Sequence, residues 1–313
     1  MSRVAVVDVG TNSTRLLIAD VAPDGRLTEL ERRTTITRLG QGVDHSARLA
    51  PEAMERVFAA LNTYKKLIDA HTVTATTAVL TSAVRDATNG ADFTATIRAR
   101  FGLDAHTITG DEEARLTFRG ATSDRDATDH RRLAVFDVGG GSTELVVGRD
   151  QQVEFHVSTQ AGVVRQTERF LRHDPPTADE LQALAAEVAE IFTAAVPEDV
   201  RGSVDAGVAV AGTATSAASI LQELDPYDPA RVHGFRLLRA QCELLLARLA
   251  AMTEAQRRQV TGLHPDRAPA IVAGLVLLIE AMRAFGLDEV EVSEHDILRG
   301  AALERVRGGT GVG

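Results

Sequence analysis

Residues 4–20, VAVVDVGTNSTRLLIAD, return as residues 133–149, LAVFDVGGGSTELVVGR, and this repeat restricts the fold more than any other feature of the chain. Aligned from Asp8 to Asp137, an offset of 129 residues, the copies share Ala, Val, the Asp-Val-Gly triplet, Ser-Thr and Leu. In each copy an apolar strand delivers an aspartate to its end, glycine follows, and hydroxyls close the turn. After each copy the pattern runs on as further strands and helices, so the chain reads as two α/β lobes of similar plan with a cleft between them.

The first lobe shows strands at 3–8, 15–21 and 27–37, with the turn APDG between the second and third. An amphipathic helix spans 51–71, with Pro51 suited to its first turn, and a strand, a helix ended by Gly102 and a short strand follow. The helix DEEARLTFRGA then places three acids in its first turn, where the dipole favours them. The polar run TSDRDATDHRR at 122–132 is the best boundary, which gives domains of 1–126 and 127–313, with the last helix free to pack back on the first. Beyond it the pattern restarts with strands at 133–138, 144–149 and 152–159. A helix with a Thr177/Glu180 capping box, a strand at 204–210, a helix from about 213, further helices, a strand at 288–292 and a final helix complete the chain.

Composition narrows the function. A net charge of -10 argues against general nucleic-acid binding. The apolar segment APAIVAGLVLLIEAM is broken by Glu280 after about a dozen residues, too short for a bilayer span, and reads as a buried helix. With no secretory signal and one cysteine, Cys242, a reducing cytoplasm is the expected compartment. The only lysines are Lys65 and Lys66, so no Walker loop exists, and phosphate would have to be held by backbone N–H groups, hydroxyls, arginine or a metal. The nine histidines show no zinc-ligand spacing.

The repeated hairpin suits such a ligand. Glycines at 10 and at 139, 140 and 141 allow backbone amides to approach closely, while Ser13 and Thr14, or Ser142 and Thr143, add hydroxyls. Beside Asp8 or Asp137 this makes a nest of donors next to an acid, fit for phosphate carrying a divalent cation. One copy alone reads as readily as a polar turn. The copies also differ: Arg15 in the first is replaced by Glu144 in the second.

Five segments in order, VVDVGTNSTRLL, TSAVRDATN, ITGDEEARLTFRG, FDVGGGSTELVVG and AGTATSAAS, resemble the exopolyphosphatase and guanosine pentaphosphate phosphohydrolase family in its short two-domain form. The resemblance covers residue 4 to about 300. It implies two actin-like (ribonuclease H-like) α/β domains, and the superfamily's paired phosphate hairpins account for the repeat. By that resemblance Glu113 is the base for the attacking water, Arg85 binds substrate phosphate, and Asp137 and Glu144 hold Mg²⁺ (or Mn²⁺) or position water. Asp8 is a third metal ligand. Asn12, Ser13, Thr14 and Arg15 form the first phosphate loop, and Gly139, Gly140, Gly141, Ser142 and Thr143 the second. Gly212 and Thr213 of AGTATS sit where relatives approach a nucleoside, although a plain strand end and helix start explains that segment equally.

Independent chemistry agrees: phosphoanhydride hydrolysis needs in-line water and charge neutralisation, and arginine grips phosphate bidentately. Without the motif context, Glu113 is an ordinary first-turn acid and Arg85 an ordinary surface arginine. Pro269, and His295 with Asp296, depart from the family pattern. The expected activity is removal of terminal phosphate from inorganic polyphosphate, short chains included. The alternative is 5′-phosphate removal from guanosine pentaphosphate, which the ten Phe, two Tyr and absent Trp equip poorly for base stacking. A kinase or a sensor on the same fold is a further reading. The expected assembly is a homodimer, with no nucleic-acid or membrane partner.

Overall fold

The computed structural model describes residues 1–126 and 128–309. The chain divides into two compact units, one of residues 1–123 with the C-terminal segment from Asp296, the other Asp124–His295. The first crossing therefore falls three residues before the expected 126/127 junction, and the last helix belongs to the first unit.

In the first unit the strands are β1 (Ser2–Val9), β2 (Ser13–Val21), β3 (Leu27–Ile36), β4 (Ala75–Leu80) and β5 (Ala105–Thr107), in the order β3-β2-β1-β4-β5. The first three form an antiparallel meander, and β4 and β5 join in parallel. Both sheet faces are buried, so the central strands are apolar on successive residues. Ala5, Val7 and Val9 pack under helices Pro51–Ala70 and Gly90–Phe101. Val4 and Val6 pack with Leu116 of helix Gly110–Ala121 and Leu298 of helix Ile297–Gly309. Those two helices meet at glycines. A Cβ on Gly120 would lie 1.9 Å from the Asp296 carbonyl oxygen, and one on Gly300 would lie 1.8 Å from that of Leu116. This close approach is why the last helix joins the first unit.

The second unit carries β6 (Leu133–Val138), β7 (Thr143–Arg149), β8 (Gln152–Thr159), β9 (Ala206–Val210), β10 (Arg236–Leu238) and β11 (Glu289–Val292), in the order β10-β11-β9-β6-β7-β8. Apart from β10 the plan repeats the first: an antiparallel meander followed by parallel strands. Even the irregularities repeat. The ladder of β2 slips between Ile18 and Ala19, and that of β7 between Val147 and Gly148, again 129 residues on. The unforeseen β10 is three residues with only Leu237 buried, too short to show alternation.

Helix Ile271–Ala284 is buried along almost its whole length, and no helix of the described residues is long and apolar enough to cross a membrane. Its one acid, Glu280, accepts a 2.6 Å hydrogen bond from Arg283 Nη1. Its apolar surface is covered within the unit, so it is not a spare face for a second copy. The Thr177/Glu180 capping box is present at the start of helix Ala178–Ala195.

Candidate active site

The two hairpin turns are built alike. The Gly10 N–H donates to Ser13 O at 3.0 Å, and the Gly139 N–H donates to Ser142 O at 3.0 Å. Among the described residues the N–H groups of Thr11 and Asn12, and of Gly140, Gly141 and Ser142, have no acceptor in the protein. Runs of unspent N–H groups are anion sites. In the second turn the carbonyls are occupied instead. Gly139 O accepts from Val163 N–H and Gly140 O from Val164 N–H, while Arg165 Nε donates to Gly141 O at 3.1 Å. Gly162 permits this seating, since a Cβ there would lie 2.3 Å from the Gly141 carbonyl carbon.

The threonines of the two turns serve a different end from the one expected. Thr143, fully buried, donates its hydroxyl to Ala161 O at 2.5 Å, so it has no proton left for a phosphate. Thr14 is buried as completely, with its hydroxyl 3.0 Å from that of Thr37. Both hold their hairpins from inside, because strand alternation turns them toward the core. Ser13 is half-buried, and Ser142 is 2% exposed.

Cross-strand pairing sets the acids. Asp8 lies opposite Arg15, and Asp137 lies opposite Glu144. Arg15 donates to Asp8 Oδ2 from Nε at 2.8 Å and from Nη2 at 2.6 Å, and Nη1 donates to Asp296. The guanidinium expected to bind phosphate is thus engaged by two buried carboxylates of its own unit. Asp8 Oδ1 is buried with no hydrogen-bond partner. Burial pushes the Asp8 carboxyl above its usual range, although Arg15 pulls it the other way. In the second unit the same register brings two buried acids together, and Glu144 Oε1 accepts from the Ser158 hydroxyl at 2.7 Å. Ser158 escaped the sequence reading; its place opposite Glu144 on β8 was the available signal.

Arg85 and Glu113, 28 residues apart, come together in the first unit. Arg85, in the short helix Ser82–Asp86, donates from Nη1 to Glu113 Oε2 at 3.1 Å and to Ile108 O at 3.1 Å. Thr109 starts the glutamate's helix by accepting the Glu112 N–H at 3.1 Å, and Glu113 is 7% exposed. The Thr11 and Ser82 hydroxyls, 2.9 Å apart, link this pair back to the first turn.

Gly212 and Thr213 occupy the first turn of helix Ala211–Leu221, which has no side-chain cap and opens on Ala211 at φ 65°. Arg267 Nη1 lies where a Gly212 Cβ would be, 1.4 Å from it, and Thr213 packs where a Gly274 Cβ would be, 2.5 Å from its hydroxyl. The sequence reading passed over Arg267, which sits beside the departing Pro269.

A family model described as the Ppx/GppA phosphatase family matches residues 17–306. The chain belongs to the Ppx/GppA phosphatase family. It is therefore an enzyme of a hydrolase family. Among curated relatives, Exopolyphosphatase 2 of Mycobacterium tuberculosis is 40% identical over 315 residues, 97% of this chain and 98% of that one. A bifunctional 3-dehydroquinate synthase/phosphatase of Fusobacterium nucleatum is 33% identical over 96% of this chain but only 46% of its own length. A crystal structure of an exopolyphosphatase-like protein superposes with TM-score 0.91 at 34% identity, covering 98% of this chain and 99% of that one. The Aquifex aeolicus Ppx/GppA protein gives TM-score 0.82 at 31% identity, with 98% of both chains covered. The two sheets are accordingly those of the Ppx/GppA two-domain, actin-like fold.

Proposed function

We propose that this chain is an exopolyphosphatase that removes terminal phosphate from inorganic polyphosphate, with Glu113 as general base. The observation that carries this is the Arg85–Glu113 pair, a buried carboxylate held in one orientation by an arginine. The likeness to relatives named exopolyphosphatase supports it. Glu113 takes a proton from water as the water oxygen attacks the terminal phosphorus; the bond to the bridging oxygen breaks, and the chain leaves shorter by one phosphate. Arg85 has guanidinium donors to offer phosphate oxygens. Within each unit, the free N–H groups of the turn, at 11–12 in the first and 140–142 in the second, suit phosphate oxygens.

A divalent cation fits the second unit. Asp137 and Glu144 are adjacent hard oxygen donors, the chemistry Mg²⁺ (or Mn²⁺) prefers. When bound, the ion neutralises phosphate charge. Asp8 is the weaker candidate ligand, because Arg15 already supplies its counter-charge. We place the enzyme in the cytoplasm as a homodimer, on its single cysteine and on the family resemblance.

The test is phosphate release from short and long polyphosphate, guanosine pentaphosphate and ATP, with and without Mg²⁺. Polyphosphate turnover dependent on Mg²⁺ supports the proposal. Turnover of guanosine pentaphosphate alone overturns it in favour of the nucleotide phosphohydrolase, and phosphate transfer from ATP to an acceptor in favour of a kinase.

A further inference from the structure

Asp124, His233 and His295 converge in the second unit from three distant stretches of chain. Each offers one ligand atom, and these atoms all lie within 4.8 Å of one another. His233 Nε2 is 3.0 Å from Asp124 Oδ2, and His295 Nδ1 is 3.2 Å from the same oxygen. The two imidazole centroids are 4.3 Å apart, with the rings inclined by 38°.

The two separations from the Asp124 oxygen match those between neighbouring ligands of one cation. Donors held about 2.1 Å from one cation at right angles lie about 3.0 Å from each other, and imidazole centroids so placed lie about 4.6 Å apart. None of the three side chains is sealed off, their exposures being 36% for Asp124, 30% for His233 and 20% for His295, which leaves an open side for water. Glu291 and Glu294 act on His233 through charge and make the surroundings favourable to a cation. Arg125, next to Asp124 in the chain, brings an opposing charge and is paired with Asp129 and Glu291, and Arg299 donates to the hydroxyl of the neighbouring Ser123.

We propose that Asp124, His233 and His295 form a transition-metal site of the two-histidine, one-carboxylate type, built from residues other than the acids of the phosphate loop. Two imidazoles with one carboxylate select Zn²⁺, Co²⁺, Ni²⁺ or Fe²⁺, whereas Mg²⁺ prefers oxygen alone. The position gives the ion a purpose. Asp124 is the first residue of the second unit and His295 the last, so one ion would pin both ends of that unit to the loop carrying His233. Binding also has a cost. His233 Nδ1 accepts the Glu294 N–H at 3.3 Å, and coordination through Nε2 moves the ring proton to Nδ1, so this contact is given up. The Glu294 amide is therefore a built-in reporter.

The test uses the full chain stripped with chelator and kept in excess Mg²⁺, titrated with Co²⁺. Expected are a ligand-field absorption band that saturates at one equivalent and its displacement by Zn²⁺. The Glu294 amide should exchange faster in the Zn²⁺ form. His295→Gln and His233→Gln should each weaken Co²⁺ binding tenfold or more, and His130→Gln, at the exposed His130–Asp150 pair, should leave it unchanged. If His233→Gln fails to fold, His295→Gln carries the test. A wild-type titration without a saturating band, or equal affinities in the wild type and His295→Gln, overturns the proposal.

Discussion

Arg15→Met should destabilise the first unit near neutral pH by about 4–5 kcal/mol. The magnitude comes from what the guanidinium holds. Asp8 is 3% exposed and Asp296 4%, and Arg15 donates to both. Removing one partner of a buried ion pair costs about 3–5 kcal/mol, and two carboxylates sharing one arginine put this case in the upper part of that range. Methionine keeps the apolar stem, so the loss is one of charge. The pH dependence has a definite sign. Burial raises the Asp8 carboxyl above 3.8 even with Arg15 present, and it rises further without it. A carboxyl raised in the folded state contributes stability that is full below its unfolded value and is lost as pH climbs through the folded one. The Arg15→Met deficit should therefore be largest near neutrality and shrink toward about pH 4. Asp8→Asn added to Arg15→Met removes the stranded charge and should restore about half the loss.

Urea unfolding followed by Tyr64 fluorescence measures this, in a Tyr227→Phe background. The protein has two Tyr and no Trp, and Tyr64 is 2% exposed with its hydroxyl donating to Thr14 O at 2.8 Å. The signal then reports on the first unit alone, which avoids treating two units as one transition. A loss below about 1 kcal/mol, a deficit that grows on acidification, or no recovery with Asp8→Asn would refute the reasoning.

Glu113→Gln should lower kcat for phosphate release by about 10²–10⁴-fold while KM changes only a few-fold; undiminished kcat removes Glu113 as the base. Gly162→Ala drives a methyl against the backbone of Gly140 and Gly141, so kcat/KM should fall about a hundredfold with far-UV circular dichroism unchanged. Gly300→Ala forces apart the helices that meet at Gly120 and Gly300 and should cost about 1–3 kcal/mol in the Tyr64-monitored urea titration. Thr177→Ala removes half of a capping box and should cost about 1 kcal/mol, measured as a lowered thermal midpoint.

Both meanders, the buried helix around Ile271–Ala284 and the Thr177 cap were legible because each is written in contiguous residues with one period or one cap spacing. What escaped is what depends on return of the chain. Nothing in ILRGAALERV says that Gly300 sits against Leu116, and β10 has too few residues to carry a period. The site divides the same way. Glu113 and Arg85 were singled out by their motifs, but their 3.1 Å contact could not be read from them. That the Thr14 and Thr143 hydroxyls meet Thr37 and Ala161 inside the unit was not legible, because a string of polar letters does not say which one the strand turns inward.

The difference between Arg15 and Glu144 gains its meaning from the register. Opposite Asp8 and opposite Asp137 the ladder offers one position each, on the same face and next to the same turn. A buried carboxylate at such a place needs a counter-charge. The first unit meets that need from within, through Arg15, and extends it to Asp296. The second sets another acid there, Glu144, whose Oε1 accepts from the Ser158 hydroxyl. Two adjacent hard oxygen donors make the second of the two duplicated turns the one proposed to hold a metal. Glu144→Arg would copy the first solution into the second unit. It should leave the sheet intact and abolish the Mg²⁺ dependence together with turnover, whereas retained Mg²⁺-dependent phosphate release would place the ion elsewhere.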